Sequence, residues 1–165
     1  MKEAYKHQLL WSAQNRKVIK RLFLGWRKKA PKDLDDRFHS GHERAFAEVD
    51  CLACANCCRT TSPIFKERDI VRIAKHLGVK VSDFSNRYLR RDEDGDWILQ
   101  SSPCSFLDLE TNACSIYDVR PQACREFPHT DRKNMREILG ITEQNAHLCP
   151  AVSKTVQAIL DEVTD

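Results

Sequence analysis

Four thiols fall within eight residues in the segment Cys51-Leu52-Ala53-Cys54-Ala55-Asn56-Cys57-Cys58-Arg59, a crowding that disulfide pairing does not account for. Metal coordination does. Two successive i,i+3 intervals are the spacing at which one turn of loop brings two thiolates to one centre, as in zinc knuckles and cluster-binding loops. Downstream, Cys104, Cys114, Cys124 and Cys149 bring the cysteine count to eight, the number that completes two four-thiolate sites. Tetrahedral zinc and iron-sulfur clusters both accept such ligands, so ligand type leaves the metal open. The triplet Cys51, Cys54 and Cys57 matches the C-x2-C-x2-C opening of bacterial ferredoxins, and Cys149 precedes Pro150 as the last ferredoxin cysteine precedes a proline. The fourth spacing departs from that pattern.

Two partitions of the thiols compete. Adjacent cysteines in extended backbone point to opposite sides. That assigns Cys51, Cys54, Cys57 and Cys149 to one centre and Cys58, Cys104, Cys114 and Cys124 to the other. The alternative is sequential, with Cys51 to Cys58 set against the remaining four. Four thiolates around Zn2+ carry a net charge of about −2, so cationic neighbours are expected. Arg59, Arg120 and Arg125 flank cysteines and can donate to sulfur; the competing role is a salt bridge to Asp108, Asp118 or Glu126. His39 and His42 stand at i,i+3, and His129 and His147 lie nearer the cysteines. With eight thiols completing two sites, these histidines are expected beside the metal or facing solvent rather than on it.

These residues resemble the bacterial cysteine-cluster family known as YkgJ-like, or CxxCxxCC, a zinc- or iron-chelating domain. The resemblance runs over roughly residues 51–150. It is carried by Cys51, Cys54, Cys57, Cys58 and Arg59, by Pro103-Cys104-Ser105-Phe106-Leu107-Asp108, by Cys114-Ser115-Ile116-Tyr117-Asp118-Val119-Arg120-Pro121-Gln122-Ala123-Cys124-Arg125-Glu126-Phe127-Pro128, and by Cys149-Pro150. Ala55 departs from it, since many members of the family have glycine there. The resemblance implies metal binding and little more, because most members have no assigned reaction. The family does include flagellin lysine methylases. This chain, with five glycines, has no glycine-rich strand-to-helix loop for S-adenosylmethionine and no phosphate-cradling loop. No enzyme class is therefore assigned.

The elements that must hold these thiols belong to a chain of 165 residues, 41% hydrophobic and 31% charged, enough for a modest core. Polar residues interrupt every apolar run near the N-terminus, so neither a signal peptide nor a membrane span is expected and a cytoplasmic location is. In that reducing compartment clustered thiols are read as metal ligands. The net charge of +3 divides unevenly: residues 1–32 hold ten basic side chains against Glu3, or +9, and the remainder holds 17 basic and 23 acidic, or −6. The simplest expectation is that the two parts attract each other.

A first helix is expected with Trp11, Val18, Leu22 and Trp26 on one face, widened by Ile19 and Phe23 and ending at Lys29-Ala30-Pro31. A second runs from about Leu34 to Val49, with Phe38, Ala45, Phe46 and Val49 inward and Gly41 as a weak point. After an extended Pro63-Ile64-Phe65, apolar spacing predicts a helix over 67–77 closed by Gly78, and Ser82 is expected to cap a short helix carrying Phe84, Tyr88 and Leu89. Asp92 to Asp96 reads as a turn into a strand at 97–100. Cys104 to Asp108 and Cys114 to Asp118 resemble each other at a ten-residue offset and predict a β-hairpin. Pro121 is expected to open a helical turn bearing Cys124, residues 132–139 to be helical, and Pro150 to start an amphipathic helix with Val152, Val156, Ile159, Leu160 and Val163 inward. The whole predicts a small, mainly helical α+β fold, Cys-rich, metal-stabilised and carrying a β-hairpin. A basic N-terminal helical extension, 1–48, precedes a cysteine-cluster metal-binding domain, 49–165.

Three functions follow. The leading one is a protein whose zinc or iron-sulfur centres are chiefly structural. The second is a redox or protein-modifying enzyme using an iron-sulfur centre. In the third, residues 1–32 dock on an anionic surface or a protein partner; nucleic acid is the less favoured form of that reading, and a helix packing its Trp stripe on its own acidic domain is the plainer one.

Overall fold

The computed structural model describes residues 1–164, with side chains through Val163. In chain order the helices are α1 (Glu3–Gln14), α2 (Arg16–Lys28), α3 (Leu34–Glu48), α4 (Cys51–Cys54), α5 (Asn56–Thr60), α6 (Glu67–Leu77) and α7 (Val81–Tyr88). Strands β1 (Leu89–Arg91) and β2 (Trp97–Leu99) follow, then α8 (Gln122–Glu126), α9 (Leu139–Ala146) and α10 (Pro150–Thr164). Short 3-10 turns span Tyr117–Val119 and Met135–Ile138. The fold is mainly helical with one two-stranded antiparallel sheet among the described residues, as the sequence predicts.

The chain forms two compact units. The first joins Met1–Cys54 to the chain from Pro128 on; the second is Ala55–Phe127.

In the first unit α10 packs against α3, α1 and α9, and Ile19, Phe23, Phe38, Met135, Leu139, Val152, Val156 and Ile159 are fully buried. Polar pairs fix α1 on α10: Ser153 Oγ donates to the Gln8 carbonyl at 2.8 Å, and Gln8 Nε2 donates to Gln157 Oε1 at 2.9 Å. The predicted single N-terminal helix is two. The break falls at Asn15, φ −94° and ψ 9°, whose side-chain amide donates to the Trp11 carbonyl at 2.9 Å beside its own N–H. The inward face also shifts: Ile19 and Phe23 are its buried centre, Trp11, Leu22 and Trp26 are half-buried, and Val18 is exposed. Gly41 is no weak point. A Cβ there would stand 2.8 Å from Thr155 Cγ2, on a buried threonine whose Oγ1 is tied to the Ala151 carbonyl, so glycine is what lets α3 approach α10. In α10, Val163 lies exposed rather than inward.

The second unit closes over Phe65, Ile70, Ile73, Phe84, Leu89, Leu99, Phe106 and Ile116, with Cys104 and Cys114 packed against that cluster. Phe84 and Phe106 stack with ring centroids 6.1 Å apart. Helix α6 forms as predicted and ends at Gly78 in the left-handed conformation, φ 69°. Helix α7 starts at Val81 after Lys80, so Ser82 lies inside it rather than capping it. The hairpin is found at a different place from the one predicted. Leu89↔Leu99, Arg90↔Ile98 and Arg91↔Trp97 pair across the Asp92–Asp96 turn, where Asp92 Oδ1 accepts the Asp94 and Asp96 N–H groups. Residues 104–118 carry only the isolated bridge Leu107↔Cys114. Asp108 Oδ1 takes the N–H groups of Glu110 and Thr111 at 2.9 and 2.8 Å, turning the chain before strands can extend.

The charge division has no counterpart in ion pairs. Among the described residues, Lys6 with Glu3 is the one salt bridge formed by a basic side chain of residues 1–32. Apolar burial at Ile19 and Phe23 holds α2, and neutral polar pairs hold α1.

Candidate metal centre

The thiols fall on both units. Cys51, Cys54 and Cys149 belong to the first; Cys57, Cys58, Cys104, Cys114 and Cys124 belong to the second.

In the first unit Cys54 and Cys149 are buried and Cys51 is exposed on α4. Cys149 immediately precedes α10, and its sulfur faces the N–H groups of Ala151 and Val152. Burial is the largest influence on this thiol and pushes it up to about 12; those two N–H groups oppose the rise, and the charges of Cys51 and Cys54 add to it.

In the second unit Ala55 leads into α5 with φ 48°, in the left-handed region that glycine occupies without cost. Ala55, where many members of the family have glycine, thus sits in a backbone conformation that favours glycine. Cys57 and Cys58 are on α5, not in extended backbone, so their side chains do not point to opposite sides. Their sulfurs are 4.0 Å apart. The contact from Cys57 is the main reason the Cys58 thiol falls to about 7, against a smaller opposing effect of burial.

The loop carrying Cys104 is sewn to α5 by a hydrogen bond from the Cys104 N–H to the Cys58 carbonyl at 2.8 Å. Burial raises the Cys104 and Cys114 thiols, while backbone N–H groups lower them again: Phe106 and Leu107 act on Cys104, Ile116 on Cys114. Cys124, on α8, is pushed up to about 12 by burial and then by the charges of Cys58, Cys104 and Cys114, with Arg120 opposing. Four thiols from four stretches of sequence therefore share one electrostatic field.

The arginines act unequally. Arg120 works through space on Cys114 and Cys124 while its guanidinium covers the Tyr117 ring at 3.9 Å. Arg59 donates to the Leu109 carbonyl at 2.8 Å and to Asn112 Oδ1 at 2.7 Å; Arg125 donates to the carbonyls of Asp118 and Arg120. Among the described residues none of the three forms an ion pair with Asp108, Asp118 or Glu126.

Sequence reasoning misses the pair that orients this segment. Asp69 is fully buried and accepts from Arg72 Nη2 at 2.6 Å, the Lys66 N–H at 3.1 Å and the Gln122 N–H at 3.3 Å. Arg72 in turn donates to the carbonyls of Val119 and Arg120 at 3.3 and 2.9 Å. Helix α6 thereby holds the strand of chain that delivers Cys124. The acidic residue three after Lys66 signals a helix start, but nothing local signals the reach to Gln122.

The histidines serve packing in the first unit. His39 donates to the Arg132 carbonyl at 3.0 Å; His42 pairs with Thr130 Oγ1 at 2.8 Å and lies against Phe46. His147 Nδ1 is 2.6 Å from Ser12 Oγ, and burial holds this imidazole below its ordinary range. His129 has φ 66°. A shallow cleft of about 450 Å3 in the same unit is lined by Arg27, Asn134, Arg136 and Glu137, with no thiol on its walls.

Among the described residues no three His, Cys, Asp or Glu side chains converge on a point as they stand. The donor chemistry nevertheless fits a soft cation: thiols, N–H groups aimed at sulfur, and a mutual repulsion that a cation would relieve. In metal-free protein the thiolate of the Cys57–Cys58 pair should form first as pH rises. Alkylation with iodoacetamide, read by mass spectrometry, is expected at Cys58 with a midpoint near pH 7, while Cys124 and Cys149 stay protonated and slow until about 12. Equal rates at all eight cysteines would overturn this order.

A family model described as "Putative zinc- or iron-chelating domain", named CxxCxxCC, matches residues 50–150. No curated protein and no solved structure matches the chain.

Proposed function

The chain belongs to the CxxCxxCC family of zinc- or iron-chelating domains, and from that premise we propose that its eight cysteines form the ligand set and that the metal is chiefly structural. Cys58, Cys104, Cys114 and Cys124 make up one site. The observation that carries this reading is the field these four thiols share, each supplied by a different stretch of the second unit and three of them raising the fourth. The N–H groups facing Cys104, Cys114 and Cys149 support it as well, since such donors stabilise sulfur in its ionised, ligating form. A bound zinc ion would supply a tetrahedral cross-link among these segments, and an iron-sulfur cluster would supply the same cross-link together with electron transfer. The chain's own contribution is to hold the sulfurs: the Cys104 N–H on the Cys58 carbonyl, the turn at Asp108, and the Asp69–Arg72 pair behind Cys124.

The test is metal content with a visible spectrum, on protein purified without oxygen or added metal. About two colourless zinc ions per chain, near four thiolates each, is the expected result. Iron with acid-labile sulfide and a broad band at about 400 nm would move the reading to a redox centre. Protein that folds and carries neither metal would refute both.

A further inference from the structure

We propose that the outward face of α2 docks on the surface of a membrane rich in anionic phospholipid. Helix α2 contains six basic residues and no acidic one. Its apolar side is already spent within its own unit, with Ile19 and Phe23 buried and Phe23 stacked on Trp26 at 6.0 Å. On the opposite side Lys17, Lys20, Arg21, Leu24 and Lys28 follow one another at helical spacing, all exposed, over about 16 Å of axis. None of these four cations forms an ion pair among the described residues. A row of unpaired cations on a folded unit leaves a standing positive potential, and the surface complementary to it is a densely anionic one.

The residues between the cations choose among anionic surfaces. Val18 and Leu24 are 46% and 45% exposed, and they are aliphatic. Aliphatic side chains beside lysines suit the boundary between headgroups and acyl chains. Nucleic acid would be met by aromatic stacking or by amide side chains reading base edges. Helix α2 offers neither, since its two aromatics turn inward and it contains no Asn or Gln. Because the main apolar side is buried, only Val18 and Leu24 reach into the headgroup boundary, and the attachment is chiefly electrostatic, reversible and sensitive to salt.

The experiment is co-sedimentation of the full, metal-loaded chain with vesicles of phosphatidylcholine alone and of phosphatidylcholine mixed with phosphatidylglycerol. Binding is expected to the mixed vesicles only and to be lost at high salt. A basic side chain near an anionic leaflet contributes about fivefold in affinity. Replacing Lys17, Lys20, Arg21 and Lys28 together with Gln should therefore weaken binding by about 600-fold, with the circular dichroism spectrum and metal content unchanged. Should that variant misfold, the wild-type chain gives the answer by acetylation: mixed vesicles should shield Lys17, Lys20 and Lys28, and full labelling of all three on bound protein would overturn the proposal. It is also overturned by no binding, by equal binding to both vesicles, by a folded variant that still binds, or by tighter binding to duplex DNA or RNA that the same variant abolishes. None of these results depends on which metal the thiols hold.

Discussion

Treating the metal-loaded protein with a strong chelator is expected to unfold the second unit, at a loss on the order of 10 kcal/mol per four-thiolate site. The size of the effect follows from how little else holds Ala55–Phe127 together. Its strands are three residues long, α5 and α8 five residues each, and its core is one cluster of nine buried residues around Phe84 and Phe106. A unit of that size buries too small a fraction of its surface to be comfortably stable alone. Without a cation, the half-buried thiols of Cys104, Cys114 and Cys124 would lose the ion that joins their separate stretches of chain. Thermal melts followed by circular dichroism, before and after chelation, check this, and Cys104→Ser with Cys124→Ser should reproduce the loss without chelator. A melting curve unmoved by complete removal of the metal would sink the structural role.

Asp69→Ala should cost about 1–3 kcal/mol, the range for leaving buried donors without their acceptor, because Arg72 is partly exposed and keeps access to solvent. The carboxylate has no exposure, and three donors from two separate stretches of chain meet on it. Truncation leaves the Gln122 N–H without its acceptor and Arg72 without its counter-charge while that guanidinium still reaches for the Val119 and Arg120 carbonyls. Since Cys124 lies two residues beyond Gln122, metal retention should fall along with stability. Urea titration with metal analysis measures both, and Asp69→Asn, which keeps the shape, should lose less. A change below about 1 kcal/mol would place Asp69 among ordinary positions.

What the sequence made legible was local. Helix α6 was readable because an apolar period and a closing glycine agree over 67–78, and α10 because Pro150 starts it and its inward positions keep helical spacing. The ligand candidates were readable from residue type alone, since eight thiols this close together have few other uses. The break at Asn15 was not, because it turns on one side-chain amide taking the Trp11 carbonyl, and asparagine inside a helix does not always do so. Repeated Cys-Ser-x-x-Asp wording suggested strands at 104–118, but the Asp108 carboxylate turned the chain first. Gly41 looked like weakness because the residue facing it, Thr155, is more than a hundred positions away. The partition that sets Cys58 with Cys104, Cys114 and Cys124 was one of two readable in the sequence, but it was argued from extended backbone at Cys57-Cys58, and those residues lie on a helix.

The helical unit is assembled from both ends of the described chain, with Ala55–Phe127 between them. On a ribosome this sets an order of events. Helices α1 and α3 are made before α10, their main packing partner, and α2 before α9, the helix it packs against. By the time α10 is made, the five cysteines of the second unit have all been synthesised. The second unit can thus be loaded while the helices upstream still wait, exposed, for the residues that will cover them.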